Sequence, residues 1–296
     1  MKRRNRIRMS ANDRVFSVIN TAIILLLLVI FLYPLVYVIS TSFSEGALLV
    51  RNGSVNLLPR GFSWEAYQKI FHYKGIGKYF LNTIFYSVGS TVCILFISVI
   101  TAWPLAHRDL PFRKLIMTLF TITMFFGGGL IPYYVLIQKI GLMDTPWVAI
   151  IPYALNVWNV IVFRTFFQSQ PKDLEDSAKI DGANDFVILF RIIVPISMPI
   201  IATFTIFSMV ASWNDYFTPL VFMRNIDLHP LQLLLRKLLV QADLTEFYVG
   251  DAGSIQLDAR PLRCAAIAVS SLPILCIYPL FQKHFAKGVI VGSLKG

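Results

Sequence analysis

Six long apolar runs alternate with polar links along the chain: roughly Val15–Ser40, Phe80–Ala106, Leu115–Ile137, Trp147–Phe167, Ile192–Phe222 and Cys264–Phe281. A helix needs about 20 mostly apolar residues to cross a bilayer, and each run meets or approaches that length. Lipid offers no partner to a free backbone N–H or C=O, so helices or closed barrels are the only spanning elements, and the runs are too long for barrel strands. The pattern predicts an all-α integral membrane protein with six transmembrane helices. The first run is too long for a secretory leader and lacks a small-residue cleavage site, so it is expected to remain as a span.

The basic residues then set the orientation. Lys2, Arg3, Arg4, Arg6, Arg8 and Arg14 precede the first run, Arg108, Arg113 and Lys114 fill the short link after the second, and Lys283, Lys287 and Lys295 follow the sixth. By the positive-inside rule both termini are expected in the cytoplasm. The organisation expected is a basic cytoplasmic tail over 1–14 and one transmembrane domain over 15–296. The long links, about Thr41–Tyr79 and Met223–Arg263, fall outside. In the outer link, Ser63 is placed to cap a short helix through Trp64 and Tyr67. The net charge of +11 is explained by this flanking pattern rather than by a nucleic-acid footprint. Only 15% of residues are charged and 56% are hydrophobic, against about a quarter charged in soluble domains.

The cytoplasmic link over about 168–191 is polar and patterned. Pro171 suits the first turn of a short helix, with Asp173, Glu175 and Asp176 at its positive end. Leu174, Ala178 and Ile180 give it a partly apolar face. Gly182 is a natural stop, because glycine accepts the left-handed conformation. A second helix can restart at Asn184, and Pro195 and Pro199 lead into the fifth run. The expected unit is a helix–turn–helix projecting from the membrane.

That segment resembles the coupling loop of ABC importer permeases, whose pattern is Glu-Ala-Ala, three residues, Gly, nine residues, Ile, one residue, Leu-Pro. Here Asp176, Ser177 and Ala178 are followed at the same spacing by Gly182, Ile192, Val194 and Pro195. Asp176 for Glu and Ser177 for Ala keep charge or size. Asp181, Gly182 and Ala183 are typical of the sugar branch. Ser212 to Tyr216 is similar to a run in maltose-type permeases, the ending from Phe285 to Gly296 resembles that of the smaller permease of the pair, and the stretch Gly127 to Pro132 resembles permeases for complex oligosaccharides.

The resemblance implies a type I ABC importer permease fold in the bacterial cell membrane. Its implied partners are a second, homologous permease, two cytoplasmic ATPase subunits that carry ATP and Mg, and an extracytoplasmic binding protein that delivers an oligosaccharide or polysaccharide fragment. It also implies that Asp176, Ser177, Ala178, Asp181, Gly182 and Ala183 dock the ATPase, and that this chain has no catalytic residue and binds no cofactor itself.

Polar side chains inside spans are costly and often face a cavity. Asn82, Ser87, Asn156, Asn159, Trp213, Asn214 and Asp215 qualify, and Asn159, Trp213, Asn214, Asp215 and Tyr216 offer the aromatic, amide and carboxylate groups that grip sugars. Bonding helix to helix would use the same groups, and both readings stay open. Gly127, Gly128 and Gly129 lack the continuation of a phosphate loop and read as close packing or a helix break. Cys93, Cys264 and Cys276, and His72, His107, His229 and His284, show no metal spacing. An ion-coupled transporter would show two related halves and intramembrane carboxylates, and Asp215 is the one candidate. A permease for a non-sugar solute remains the nearer alternative.

Overall fold

The computed structural model describes residues 11–52, 57–240 and 259–293. Among them the chain is helical, with one isolated antiparallel bridge, Ser44 to Phe62, and no strand. Lys2, Arg3, Arg4, Arg6, Arg8 and Lys295, the side chains of Lys283 and Lys287, and the 241–258 part of the second long link lie outside what is described. The chain forms two compact units, Met1–Tyr73 with Asp243–Val269, and Lys74–Ala242 with Ser270–Gly296.

In the first unit, α1 (Ala11–Ser42) carries the first apolar run, and none of its most apolar window is buried. A helix apolar on every face is covered by lipid rather than water. Short helices α2 (Gly46–Asn52) and α3 (Glu65–His72) follow. Phe43 packs against Phe62, Trp64 and Tyr67 at centroid distances of 4.8–5.6 Å. The short helix begins where expected, but Trp64 holds the N-cap position, and Ser63 Oγ accepts from the Glu65 N–H at 3.2 Å.

The second unit is organised around α4 (Ile76–Ala106), the second apolar run. It packs along α7 (Val157–Gln168) and α11 (Met198–Trp213). Phe163 and Val160 of α7 are fully buried, as is Ala102 of α4, and Phe204 of α11 completes the same core. A second core gathers Tyr86, Ile137, Val148, Ile150 and Phe222. There α4 comes so near its neighbour that a Cβ on Gly89 would lie 2.8 Å from Ile150 Cδ1. The last helix, α14 (Arg260–Ser293), runs through both units.

Three runs depart from straight spans. The third is broken into α5 (Arg113–Phe125) and α6 (Leu130–Lys139), bent by 115°. The break falls on Gly127, Gly128 and Gly129, the last at φ +79°. Their reading as a helix break holds, while the single helix over Leu115–Ile137 does not. In the fourth run, Pro146 and Pro152 keep the chain in a 3-10 turn and bends, and α7 starts only after Asn156, whose side chain caps it. The fifth run is bent by 80° at Ser197, between Pro195 and Pro199, and α11 stops at Trp213. Glycine allows the left-handed residue at the first break, and at the others proline removes a ladder donor and crowds the preceding turn, so each has a residue-level cause.

Phe163→Ala tests the core. Lipid tails are as apolar as the site, so little transfer energy is lost, but the cavity cost remains. The expected loss is about 2 kcal/mol or more, read by thermal denaturation in mild detergent. Phe31→Ala, on the exposed surface of α1, should leave the transition nearly unmoved.

Candidate functional site

The patterned link forms the helix–turn–helix its residues predict. Pro171 is the N-cap of α8 (Lys172–Ile180), whose first turn holds Asp173 and Glu175. The helix ends in a Schellman motif: the Gly182 N–H donates to the Lys179 carbonyl at 3.0 Å and the Ala183 N–H to the Ala178 carbonyl at 2.9 Å. Gly182 sits at φ +79° to allow it, and a Cβ there would meet nothing within 4 Å. Asn184 then caps α9 (Asp185–Val187) by accepting from the Val187 N–H at 2.9 Å. Both helix ends and the turn between them are therefore hydrogen-bonded locally, which makes the segment stiff.

One face of the segment is anchored and the other is bare. Ala178 is buried in the core of α4, α7 and α11, and Ala183 packs against that core. Asp176, Ser177, Asp181 and Gly182 are exposed, as are the apolar Ile180, at 87%, and Phe186, at 69%. Ile180 and Phe186 thus leave apolar surface bare on an otherwise polar segment.

An ionic clasp ties α8 back to the end of α4. Glu175 accepts from His107 Nε2 at 2.9 Å and from Lys179 Nζ at 2.6 Å. Burial pushes the Glu175 carboxyl up, but the bonds from Lys179 and His107 outweigh it and hold the carboxyl below its ordinary value. The bond to Glu175 likewise pushes Lys179 up. His107 Nδ1 lies 3.0 Å from the Trp103 carbonyl, so the ring is held at both nitrogens.

Beyond α9 the backbone is π-helical over Ile188–Ile193, continues through α10 (Val194–Ile196) and bends at Ser197 into α11. Pro195 lacks an N–H, and a widened turn is the ordinary response. The stiff segment thus reaches the long helix through an irregular joint.

The other candidates are placed as follows. Trp213 is buried and its Nε1–H donates to the Ser270 carbonyl at 3.0 Å. Asn214 accepts from Gln232 and donates to the Val210 carbonyl. Asp215 accepts from the N–H groups of Phe217 and Thr218, capping α12 (Phe217–Phe222). Tyr216 is exposed, with the Arg236 guanidinium 5.6 Å from its ring centre. Asn159 is buried on α7 and its N–H bonds to Asn156. Asn82 donates to the carbonyls of Asp227 and His229, joining α4 to the loop ahead of α13 (Leu231–Val240). The Ser87 hydroxyl is buried without a partner among the described residues. The run from Trp213 to Tyr216 therefore serves helix ends, and its exposed residues are Asn214 and Tyr216. The sequence reading missed His107 and Glu175 as a pair, since they stand 68 residues apart.

A family model described as "Binding-protein-dependent transport system inner membrane component" matches residues 94–291, a range that contains the whole segment. The chain is 37% identical over 289 residues to the polygalacturonan/rhamnogalacturonan transport system permease protein YtcP of Bacillus subtilis (strain 168), covering 96% of this chain and 99% of that one. It is 38% identical over 287 residues to Protein LplC of the same organism, covering 96% of each. Among solved structures, a chain of a bacterial ABC transporter involved in the import of the acidic polysaccharide alginate superposes with a TM-score of 0.87 at 32% identity, covering 94% of this chain and 99% of that one. A second chain, from an alginate ABC transporter in complex with its alginate pentasaccharide-bound periplasmic protein, shares the fold at a TM-score of 0.58 and 13% identity, covering 91% of this chain and 93% of that one. The family is one of transport components rather than catalysts, and by sequence and fold together this chain belongs to the binding-protein-dependent transport system inner membrane components.

Proposed function

We propose that this chain is one of two homologous permeases in an ATP-driven importer of an oligosaccharide or polysaccharide fragment, and that the segment from Pro171 to Pro195 is its docking point for an ATPase. The observation that carries the proposal is a stiff, capped helix–turn–helix with one face seated in the core and an exposed apolar and acidic face opposite. A partner seated on Ile180, Asp181 and Gly182 would move α8 as a rigid body. The motion would pass through Ala178 and the His107–Glu175 clasp to α4, and through the π-helical joint to α11. Alternating access requires contacts that differ between two states, and partner closure on this surface supplies such a difference.

The substrate class rests on the relatives, whose names specify polygalacturonan/rhamnogalacturonan, arabinooligosaccharides and diacetylchitobiose. A binding protein outside and ATP with Mg on separate ATPase subunits complete the assembly. We place six spans across the cell membrane: the three long helices α1, α4 and α14, the two bent pairs, and the segment 146–168 ending in α7. Both termini and the docking segment lie on the cytoplasmic side in this arrangement, which the flanking Lys and Arg residues favour. Asn159, Asn214 and Tyr216 are proposed for the sugar path, with Trp213 and Asp215 holding the helix ends beside it.

Three measurements test this reading. Ser177→Cys should react with a membrane-impermeant thiol reagent only when the cytoplasmic face is opened; labelling from outside on intact cells would defeat the proposed topology. At Gly182 a side chain meets the left-handed backbone cost of about 1–2 kcal/mol but no crowding within the chain. Gly182→Ala should therefore retain most uptake, whereas Gly182→Glu, which projects into the partner's space, should lower uptake at least roughly tenfold while the protein still inserts. Equal uptake by the two variants would remove the docking role. The clasp is tested by pH. Because the Glu175 carboxyl titrates below its ordinary value, its contribution is complete at neutral pH and is lost as pH falls through that lowered value. Hydrogen-exchange protection over 172–180, taken relative to the intrinsic rate at each pH, should fall there, and Glu175→Gln should show the lower protection at neutral pH with no acid transition.

A further inference from the structure

At the foot of α4 lies a cavity of about 740 Å³ that the docking segment closes on one side. Five cationic side chains line it, Arg108, Arg113, Arg164, Lys172 and Lys179, against three carboxylates, Asp109, Glu175 and Asp176. Glu175 is already engaged by His107 and Lys179. Arg113 and Arg164 both donate Nε–H to one acceptor, the Leu105 carbonyl, at 2.9 and 3.0 Å. That pairing caps the C-terminal end of α4 and holds two guanidinium groups side by side. Among the described residues neither has a carboxylate within salt-bridge distance, and each keeps its remaining N–H donors unbonded. Two half-buried guanidiniums sharing one carbonyl repel each other, and an anion bridging them would relieve the repulsion.

The surroundings indicate what kind of anion. A second, largely apolar groove of about 410 Å³ shares Trp103, His107 and Lys179 with the cationic cavity. Its other walls are Ile100, Pro104, Leu110, Phe186 and Leu189, with one carboxylate, Asp185, at the Lys179 side. A charged pocket sharing walls with an apolar groove, at the end of a helix 31 residues long, matches a headgroup above an acyl chain. Basic pockets between transmembrane helices on the cytoplasmic side are sites for anionic headgroups.

We infer that Arg113 and Arg164 form a binding site for the phosphate of an anionic phospholipid, with its chain along the groove beside Trp103. The lipid wedges between the end of α4 and the docking helix, where it steadies the clasp. Its assignment to the inner leaflet rests on the topology proposed above; the binding itself does not, and is measured in detergent, where no side is defined.

The test uses the chain alone and the assembled transporter, each delipidated in a neutral detergent. Both are titrated with dihexanoyl-phosphatidylglycerol, dihexanoyl-phosphatidylcholine and inorganic phosphate, with bound lipid counted by native mass spectrometry. The glycerol lipid should bind roughly tenfold or more tighter than the choline lipid in both preparations. Arg113→Gln with Arg164→Gln should erase that preference. Since both arginines also cap α4, a second pair of variants guards against loss of folding: Arg108→Gln and Lys172→Gln, both exposed, should each weaken the anionic lipid about fivefold. Equal binding of the two lipids, or a preference unchanged in every variant, overturns the site. Inorganic phosphate that competes as well as the lipid reduces it to an ion site and overturns the lipid assignment. Lipid held by the isolated chain but excluded from the assembled transporter gives the cavity to a partner subunit, and overturns it too.

Discussion

Inside hydrocarbon, a backbone N–H or C=O that leaves its helix has no water to turn to. The fold is arranged around that constraint, because several of its apolar runs are not continuous helices. Several of the helix ends are met by side chains that supply the missing bonds. Where the chain crosses from the 3-10 turn at Ile226–Leu228 into α13, Asn82 and Tyr86 of α4 donate to the carbonyls of Asp227, Leu228 and His229, and Thr83 Oγ1 accepts from the Leu231 N–H at 2.8 Å. Asp215 takes two N–H groups at the start of α12, and Asn156 takes one at the start of α7. At the far end of α4, Arg113, Arg164 and Gln168 donate to the carbonyls of Leu105 and Ala106. Polar residues at these junctions thus first of all satisfy the backbone where helices start and stop.

The same constraint separates rigid from yielding parts. The segment proposed to dock a partner satisfies its turn locally, through the Schellman bonds at Gly182 and the Asn184 cap, so the turn between its two helices is held from within. Its attachment is narrow by comparison: Ala178 and Ala183 in the core, and one carboxylate shared by His107 and Lys179. Stiffness beyond a narrow attachment is the mechanical condition for a lever. The joint at its other end, π-helical and followed by an 80° bend, is where a push can change the direction of α11 without stretching a regular ladder.

How much of this the sequence disclosed follows from how local each signal is. The helix–turn–helix was legible almost residue by residue, since Pro171, Gly182 and Asn184 act on their own neighbours. The apolar runs announced helices and their approximate places, but composition does not register direction: the runs through Gly127–Gly129 and through Pro195 and Pro199 read as spans, and the chain turns within them. The fourth run kept its length on paper while Pro146 and Pro152 shortened its regular helix. Pairs distant in sequence were invisible. Nothing about His107 or Glu175 alone foretells the clasp, and Arg113, read only as an orientation signal, shares a carbonyl with Arg164 from another helix. The run Trp213 to Tyr216 shows the opposite limit, because groups suited to a sugar are equally suited to a helix end, and here Trp213 and Asp215 are bonded to the backbone.

The foot of α4 is where these strands of argument meet. The Leu105 carbonyl is capped by Arg113 and Arg164 and that of Ala106 by Gln168, the C-cap residue His107 clasps α8, and the bare guanidinium edges face the same cavity. A helix C-terminus attracts cations, and gathering five of them there leaves a positive surplus over the three lining carboxylates. An anion at that point would act on the cap, the clasp and the lever together. The neighbouring membrane is an abundant source of such anions, which is the physical reason for assigning the surplus to lipid rather than leaving it as a by-product of capping.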